Sequence, residues 1–467
     1  MKKLIFLFIS FLLIFRLSAQ KPKYIFFFIG DGMGLVQAKI TDEYFKEQYN
    51  DSLSFLRFYD NGFQTTHSAS SKVTDSAAAG TALSTGFKTN NGSLCIAPNG
   101  KDSLNSFTFD AKRKGYKIGI VTSVSIDHAT PAAFYAKAAG RNSYNDIAMQ
   151  LPNTGFDYFA GGTFLEPISE RGNAFQNLKN YGYKLVTSPD SLRFIPGMNG
   201  KVCVLDPAKE LYYGIDREAG RFTLAQLTKT GIEALFNKKG FFMMVEGGKI
   251  DWTSHANDPA STVYETIEFE KAIREALDFY KKHPKETLII VSADHETGGM
   301  ALGSTLTGYA ANLKLLHQQP MSNVAFEKVI TQEFEGKEVD MEHAMSLVEK
   351  YYHVGMEGGI EFNGYDSLRL QRACEYINFP EKYPDRREAM KLFNSNKNAA
   401  KFAVKDRLPA IIHTMNVILS EKAGIGWTTH SHSGVPVPVY AKGAGSADFN
   451  GFYDNTDLSK KIEVLFE

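Results

Sequence analysis

Residues 24–34 read Tyr24-Ile25-Phe26-Phe27-Phe28-Ile29-Gly30-Asp31-Gly32-Met33-Gly34, six apolar residues followed by a glycine-punctuated turn that carries one carboxylate. An unbroken apolar run of this length, closed by glycine, describes a strand buried on both faces. Three further runs have the same character: Ile118 to Val121, Phe241 to Val245 and Leu288 to Val291. Between the last two lie Val263, Ile267, Ile273, Leu277 and Tyr280, at roughly helical spacing. Strands alternating with helices predict an α/β fold, a three-layer, doubly wound, mostly parallel sheet with helices on both faces. Ligands bind beyond the carboxyl ends of the strands in such sheets. Four of those ends carry oxygen or imidazole ligands: Asp31, Glu246, the pair Asp294-His295, and the loop from Asp127 to Pro131.

The chain has 467 residues, 43% of them hydrophobic, enough for a large core in one domain with an insertion or in two domains. Lys plus Arg and Asp plus Glu both total 52, so no net charge draws the chain to nucleic acid. Met1-Lys2-Lys3, the apolar block Leu4 to Phe15 and Ser18-Ala19-Gln20 have the layout of a cleavable signal peptide over residues 1–19, which predicts a periplasmic or secreted protein. That block is short for a membrane span, and no later apolar run reaches spanning length. Cys95, Cys203 and Cys374 are scattered and allow at most one disulfide. From about Leu313 to Ile425 helix formers dominate, with breaks at Pro320 and Pro380. We therefore divide the chain into a catalytic domain, residues 20–300 and 430–467, and a mainly helical insertion, 301–429. The closing segment through Val435-Pro436-Val437-Pro438-Val439-Tyr440 reads as a strand whose two prolines suit a sheet edge.

In Val73-Thr74-Asp75-Ser76-Ala77-Ala78-Ala79-Gly80-Thr81, an alanine-rich helix follows an acid and a hydroxyl, so Ser76 is expected near a helix start, where free N–H groups favour an anion. A serine needs a base or a metal to become a nucleophile, and no Ser/His/Asp triad order is visible. Metal ligands are therefore sought. Asp31 in its turn would repel a dinucleotide pyrophosphate and reads better as a metal ligand. Asp251 and His255 stand four apart, on one face if that stretch is helical, which suits tetrahedral zinc. Glu246 is separated from Asp251 by the joint Gly247-Gly248, so the two carboxylates can reach neighbouring ions. Asp294 and His295 share a metal only if the strand has already turned. His432 is a further ligand candidate, with His430 as its competitor, and Arg141 suits a bidentate phosphate clamp.

Taken in order, Gly30-Asp31-Gly32-Met33-Gly34, Thr74-Asp75-Ser76-Ala77-Ala78, Thr130-Pro131-Ala132-Ala133 with Arg141, Glu246-Gly247 with Asp251 and His255, Ala293-Asp294-His295 and His432-Ser433-Gly434 resemble the alkaline phosphatases. The resemblance implies a metal-dependent phosphomonoesterase with a phosphorylated Ser76. It implies one zinc on Asp251, His255 and His432, and a second zinc on Asp31, Asp294 and His295. One magnesium would take Asp31, Thr130 and Glu246, with Arg141 gripping phosphoryl oxygens. The substrates implied are small-molecule phosphate monoesters, with transphosphorylation to an alcohol as a side activity.

Two positions depart from the best-known bacterial pattern: His128 stands in place of an Asp, beside the magnesium ligands, and Trp252 in place of a Lys. Trp252 removes a cation near the phosphate, which predicts weak retention of product. Asp75 is expected either to pair with Arg141 or to cap the helix. The insertion is expected to cap the active site or to form an oligomer contact, as in a homodimer. The rival readings are a phosphodiesterase or sulfatase on the same scaffold and a secreted, non-catalytic metal- or phosphate-binding protein. The intact Ser76 and the trio Asp31, Thr130 and Glu246 speak against both.

Overall fold

The run Tyr24–Ile29 forms β1, near the middle of a ten-stranded sheet. The computed structural model describes residues 21–197, 200–335, 337–357, 359–383 and 407–467. The signal-peptide reading of residues 1–19 and the stretch 384–406 of the predicted insertion lie outside them. In chain order the other strands are β2 (Asp60–Thr65), β3 (Lys117–Ser125), β4 (Tyr158–Gly162), β5 (Tyr183–Val186), β6 (Lys201–Asp206), β7 (Phe241–Glu246), β8 (Thr287–Ser292), β9 (Val437–Gly443) and β10 (Gly451–Asp454). Their spatial order is β10-β2-β9-β8-β1-β7-β3-β4-β6-β5. From β8 to β5 every neighbouring pair is parallel, and β9 runs antiparallel to β8 and β2. The predicted α/β architecture is the one observed, and the four apolar runs are the four adjacent strands β8, β1, β7 and β3.

Alternation along β1 explains why its sequence is apolar throughout. Tyr24, Phe26 and Phe28 enter one core, while Ile25, Phe27 and Ile29 enter the other. Helices Leu35–Tyr49, Leu224–Leu235 and Pro259–Lys282 cover the first face; Ser76–Thr85, Phe107–Arg113 and Asn455–Glu463 cover the second. Pro259–Lys282 contains the helical pattern read from Val263 to Tyr280. It starts where the Asp258 side chain accepts the Ser261 N–H and Pro259 occupies the first turn.

The edge-strand reading of Val437 to Tyr440 is corrected: β9 lies between β2 and β8. Its prolines are accommodated because pairing with β8 begins only at Tyr440, opposite Val291, beyond Pro438. Pro436 precedes the strand altogether.

Ala301–Leu302 pairs with Ile425–Gly426, and the segments described between them include four α-helices, Asn323–Glu333, Met341–Tyr352, Gly364–Asn378 and Pro409–Ala423. Their apolar residues, Phe326, Leu347, Leu370 and Met415 among them, extend the first core. Gln319 Nε2 and the Asn323 N–H donate to the Asp258 carboxylate at 2.8 and 3.0 Å, and Asn416 Nδ2 donates to Ala256 O at 3.1 Å. This layer therefore rests on the junction between the helices Lys249–His255 and Pro259–Lys282. Cys95, Cys203 and Cys374 are free and buried. Among the described residues, no helix is long and apolar enough to cross a membrane.

Phe27 is fully buried and meets Phe134 edge-on, ring centroids 6.3 Å apart. Phe27→Ala removes that packing and leaves a cavity at the sheet's centre. It should destabilise the protein by about 3–5 kcal/mol, read as a lower urea midpoint.

Candidate active site

Parallel pairing in register brings the strand ends level: Ile29 of β1 faces Glu246 of β7 on one side and Ser292 of β8 on the other. Asp31 and Asp294 each lie two residues further on and, like Glu246, are fully buried. The turn after β1 closes because Gly32 has φ of 72°; a Cβ there would stand 2.8 Å from both Asp251 Cα and Thr297 Oγ1. The Gly32 N–H donates to Asp294 Oδ1 at 3.2 Å, and its carbonyl accepts from the Thr297 N–H.

Ser76 is the first residue of the helix Ser76–Thr85. Asp75 does both things expected of it: one carboxylate oxygen caps the helix through the Ala78 N–H at 3.0 Å, and the other accepts from Arg141 Nη1 at 3.0 Å. Ser76 Oγ lies 3.2 Å from His295 Nε2. That same nitrogen is 3.3 Å from Asp31 Oδ1 and 3.2 Å from Asp294 Oδ2. The strand has turned after β8, as sharing a metal requires.

Asp251 and His255 lie on the helix Lys249–His255, one turn apart. His255 Nε2 and His432 Nε2 face each other at 3.1 Å and stand 3.3 and 3.5 Å from Asp251 Oδ1. His430 does not join them. Its carbonyl accepts from His255 Nδ1 at 2.7 Å, and its ring stacks edge-on against His413. Beside Asp31, Thr130 Oγ1 donates to Asp31 Oδ2 at 3.2 Å, and the Thr122 hydroxyl binds Glu246. His128, expected behind the ligands, comes within ligand reach: one ring nitrogen and oxygens of Asp31 and Glu246 lie within 4.8 Å of one another. Two further triads meet the same limit, Asp251 with His255 and His432, and Asp31 with Asp251 and His295. Asp251 thus borders both of these groups. Trp252 packs edge-on against His128, ring centroids 5.8 Å apart.

The alkaline phosphatase family model matches residues 22–160 and 170–467. The chain belongs to the alkaline phosphatase family. Alkaline phosphatase 4 of Bacillus subtilis is 32% identical over 400 residues, which cover 84% of this chain and 76% of that protein. Alkaline phosphatase 3 of the same organism is 30% identical over 459 residues, 95% of this chain and 89% of that protein. A cold-active alkaline phosphatase from the psychrophile Shewanella sp. superposes with a TM-score of 0.77 at 28% identity, over 95% of this chain and 100% of that one. A variant of the alkaline phosphatase from the Antarctic bacterium TAB5, solved with magnesium in its M3 site, superposes at 0.65 with 26% identity, over 96% and 98%. The protein is accordingly an enzyme that hydrolyses phosphoric monoesters, from a metal-dependent family.

The phosphatase's donor atoms fit cations. All three imidazoles have Nδ1 beside an oxygen: His255 at His430 O, His432 at Thr74 O and His295 at Thr297 Oγ1. Each Nε2 is thereby left as a lone pair facing carboxylates. Burial, more than neighbouring charge, holds His295 and His432 below the ordinary histidine range and so neutral. Asp31 Oδ1, Asp294 Oδ2, Glu246 Oε1 and His128 Nδ1 are buried without a hydrogen bond. Two carboxylates about 4 Å apart repel by roughly 4 kcal/mol at an effective dielectric near 20, several times what one hydrogen bond returns. Asp31, Glu246 and Asp294 can therefore be ionised together only around a counter-charge. A Ser–His base would instead have its far nitrogen held by a carboxylate, whereas His295 Nδ1 faces a threonine hydroxyl.

Two residues that frame these ligands were not singled out from sequence. Thr297 Oγ1 bridges His295 Nδ1, at 3.3 Å, to Asp251 Oδ1, at 2.5 Å. The Glu296 carboxylate accepts from Gln37 Nε2 at 2.7 Å, from the Gly299 and Met300 N–H groups and from the Ser433 hydroxyl. It ties the short strand Glu296–Thr297, which follows His295 directly, to His432–Ser433, and the rings of His295 and His432 stack 3.6 Å apart. Their only sequence signal is adjacency to a ligand.

Burial and then the neighbouring carboxylates push Asp31 and Asp294 above the usual carboxylate range, and burial raises Glu246 to about 7. A raised pKa means that the ion-free site keeps its protons to higher pH, and a cation must displace them. Affinity should therefore weaken as pH falls through about 7, while His295 and His432, already neutral, add little competition. With added zinc as the probe cation, chelator competition should show binding at least about tenfold tighter at about pH 8.5 than at about pH 6, and a flat profile would count against these carboxyl groups as the ones that give up protons to a cation.

Proposed function

We propose that this phosphatase works through a covalent phosphoserine on Ser76, with one zinc on Asp251, His255 and His432, a second on Asp31, Asp294 and His295, and magnesium on Asp31, Thr130 and Glu246. One observation carries the reading: Ser76 Oγ stands 3.2 Å from the His295 nitrogen on which the Asp31 and Asp294 oxygens also converge.

Bound cations would supply Lewis-acid charge at the serine and leaving oxygens. The chain's own residues do the rest. The start of the helix Ser76–Thr85 aims Oγ and free backbone N–H groups at the phosphoryl group. Arg141, held by Asp75, presents its planar fork to two phosphoryl oxygens. As the bond from Ser76 Oγ to phosphorus forms, the bond to the departing alcohol oxygen breaks. Water then displaces Oγ, releasing inorganic phosphate and restoring the serine; an alcohol in place of water yields a new ester. We read residues 1–19 as a cleaved secretion signal, which puts this chemistry outside the cytoplasm.

Aryl phosphate, bis-aryl phosphate and aryl sulfate, assayed with and without chelator, separate this reading from its rivals. Monoester turnover should dominate and vanish with chelator. Ser76→Ala should lower kcat by at least about a thousandfold with zinc content unchanged; substantial turnover in that variant would defeat the covalent route.

Trp252 leaves no cation where a lysine would face the phosphate. Trp252→Lys should lower the inhibition constant of inorganic phosphate by about fivefold or more, and equal constants would sink the idea.

A further inference from the structure

Asn91 touches none of the ion-binding side chains, yet it spans the turn that delivers the nucleophile. Its Nδ2 donates to Val73 O at 3.1 Å, and its Oδ1 accepts from the Asp75 backbone N–H at 3.2 Å. Those groups flank Thr74, immediately before Ser76. The Asn91 N–H donates to Ser70 Oγ at 3.0 Å, and the Ala69 N–H donates to Thr89 O at 2.8 Å. Residues 69–75 are thus laced along 89–91. The next residue, Gly92, accepts from the Arg141 backbone N–H at 2.7 Å and has φ of 85°, a conformation glycine adopts without strain.

These bonds close a ring. Asn91 holds the Asp75 backbone, the Asp75 carboxylate holds the Arg141 guanidinium, and the Arg141 backbone returns to Gly92. An amide suits the position because it offers a donor and an acceptor together; aspartate lacks the donor and alanine lacks both. The side chain is exposed, so its truncation opens no cavity and surrenders little packing.

We propose that Asn91 is a positioning residue of the phosphatase reaction, locking the backbone from Val73 to Asp75 so that Ser76 and Arg141 meet the same phosphoryl group. The inference rests on the Ser76 reading above. Shifts of about 1 Å in reacting groups cost up to about a hundredfold in rate, so a loosened turn should register in catalysis before it registers in stability.

The test compares wild type, Asn91→Ala, Arg141→Ala and the double variant for kcat, KM with an aryl phosphate, inhibition by inorganic phosphate, zinc content and Tm. Asn91→Ala should keep its zinc and Tm, lose about tenfold in kcat/KM and bind phosphate more weakly. In the Arg141→Ala background the same change should cost less than about threefold, because the partner it positions is gone. An unchanged kcat/KM in Asn91→Ala, the full loss repeated without Arg141, or a loss that comes with lower zinc content or Tm would each overturn the proposal. Turnover in Ser76→Ala would instead bring down the reading of the reaction itself, and this inference with it.

Discussion

The constraint on which the site depends is the register of three parallel strands. Because β1 pairs in step with β7 and β8, Ile29, Glu246 and Ser292 lie abreast, and the chain leaving each strand enters one small volume. A slip of one residue would turn every side chain of β1 to the other face, mixing the two cores and removing Asp31 from its neighbours. The register is held in turn by apolar side chains on both faces of the central strands, each with its own layer of helices. Chemistry at the sheet's carboxyl edge is thus secured by packing within the sheet.

The second consequence is electrostatic. Four carboxylates brought together without enough donors repel one another by more than hydrogen bonds can offset. Protons or cations must make up the difference, and the raised carboxyl groups and the outward Nε2 lone pairs are two signs of the same deficit. Surrounding groups set how the ligands face. Backbone carbonyls at Thr74 and His430 and the Thr297 hydroxyl fix the imidazoles, and Glu296, next to His295, binds Ser433, next to His432. His128 and Trp252, the two departures from the familiar bacterial pattern, pack against each other, so they form one local solution rather than two.

Much of this was legible before folding. The central strands are continuous apolar runs because both faces are covered, and that signal is local. β2 was not legible for the converse reason: Asp60-Asn61-Gly62-Phe63-Gln64-Thr65 is polar and glycine-broken, and its pairing with β9 joins residues more than 370 apart. Asp31, Asp294 and His295 could be read because they follow such runs directly, and Asp251 and His255 because one helical turn separates them. Thr297, Glu296 and Asn91 are ordinary residue types whose work is done through partners distant in sequence or through backbone groups. The prolines near β9 suggested an edge, since proline lacks an N–H, but only the neighbouring strand's length shows where that N–H is not needed.

The sequence by itself determined the central strands of the sheet, its layering and a set of candidate ligands at the strand ends, since periodicity, strand ends and short spacings are properties of neighbouring residues. Tertiary structure alone decided that His432 rather than His430 joins Asp251 and His255, that His128 comes within reach of Asp31 and Glu246, and that Asp75 serves helix and arginine at once. Each of those outcomes turns on a few ångströms between segments up to hundreds of residues apart, a distance set by how the layers pack and not by any local pattern in the chain.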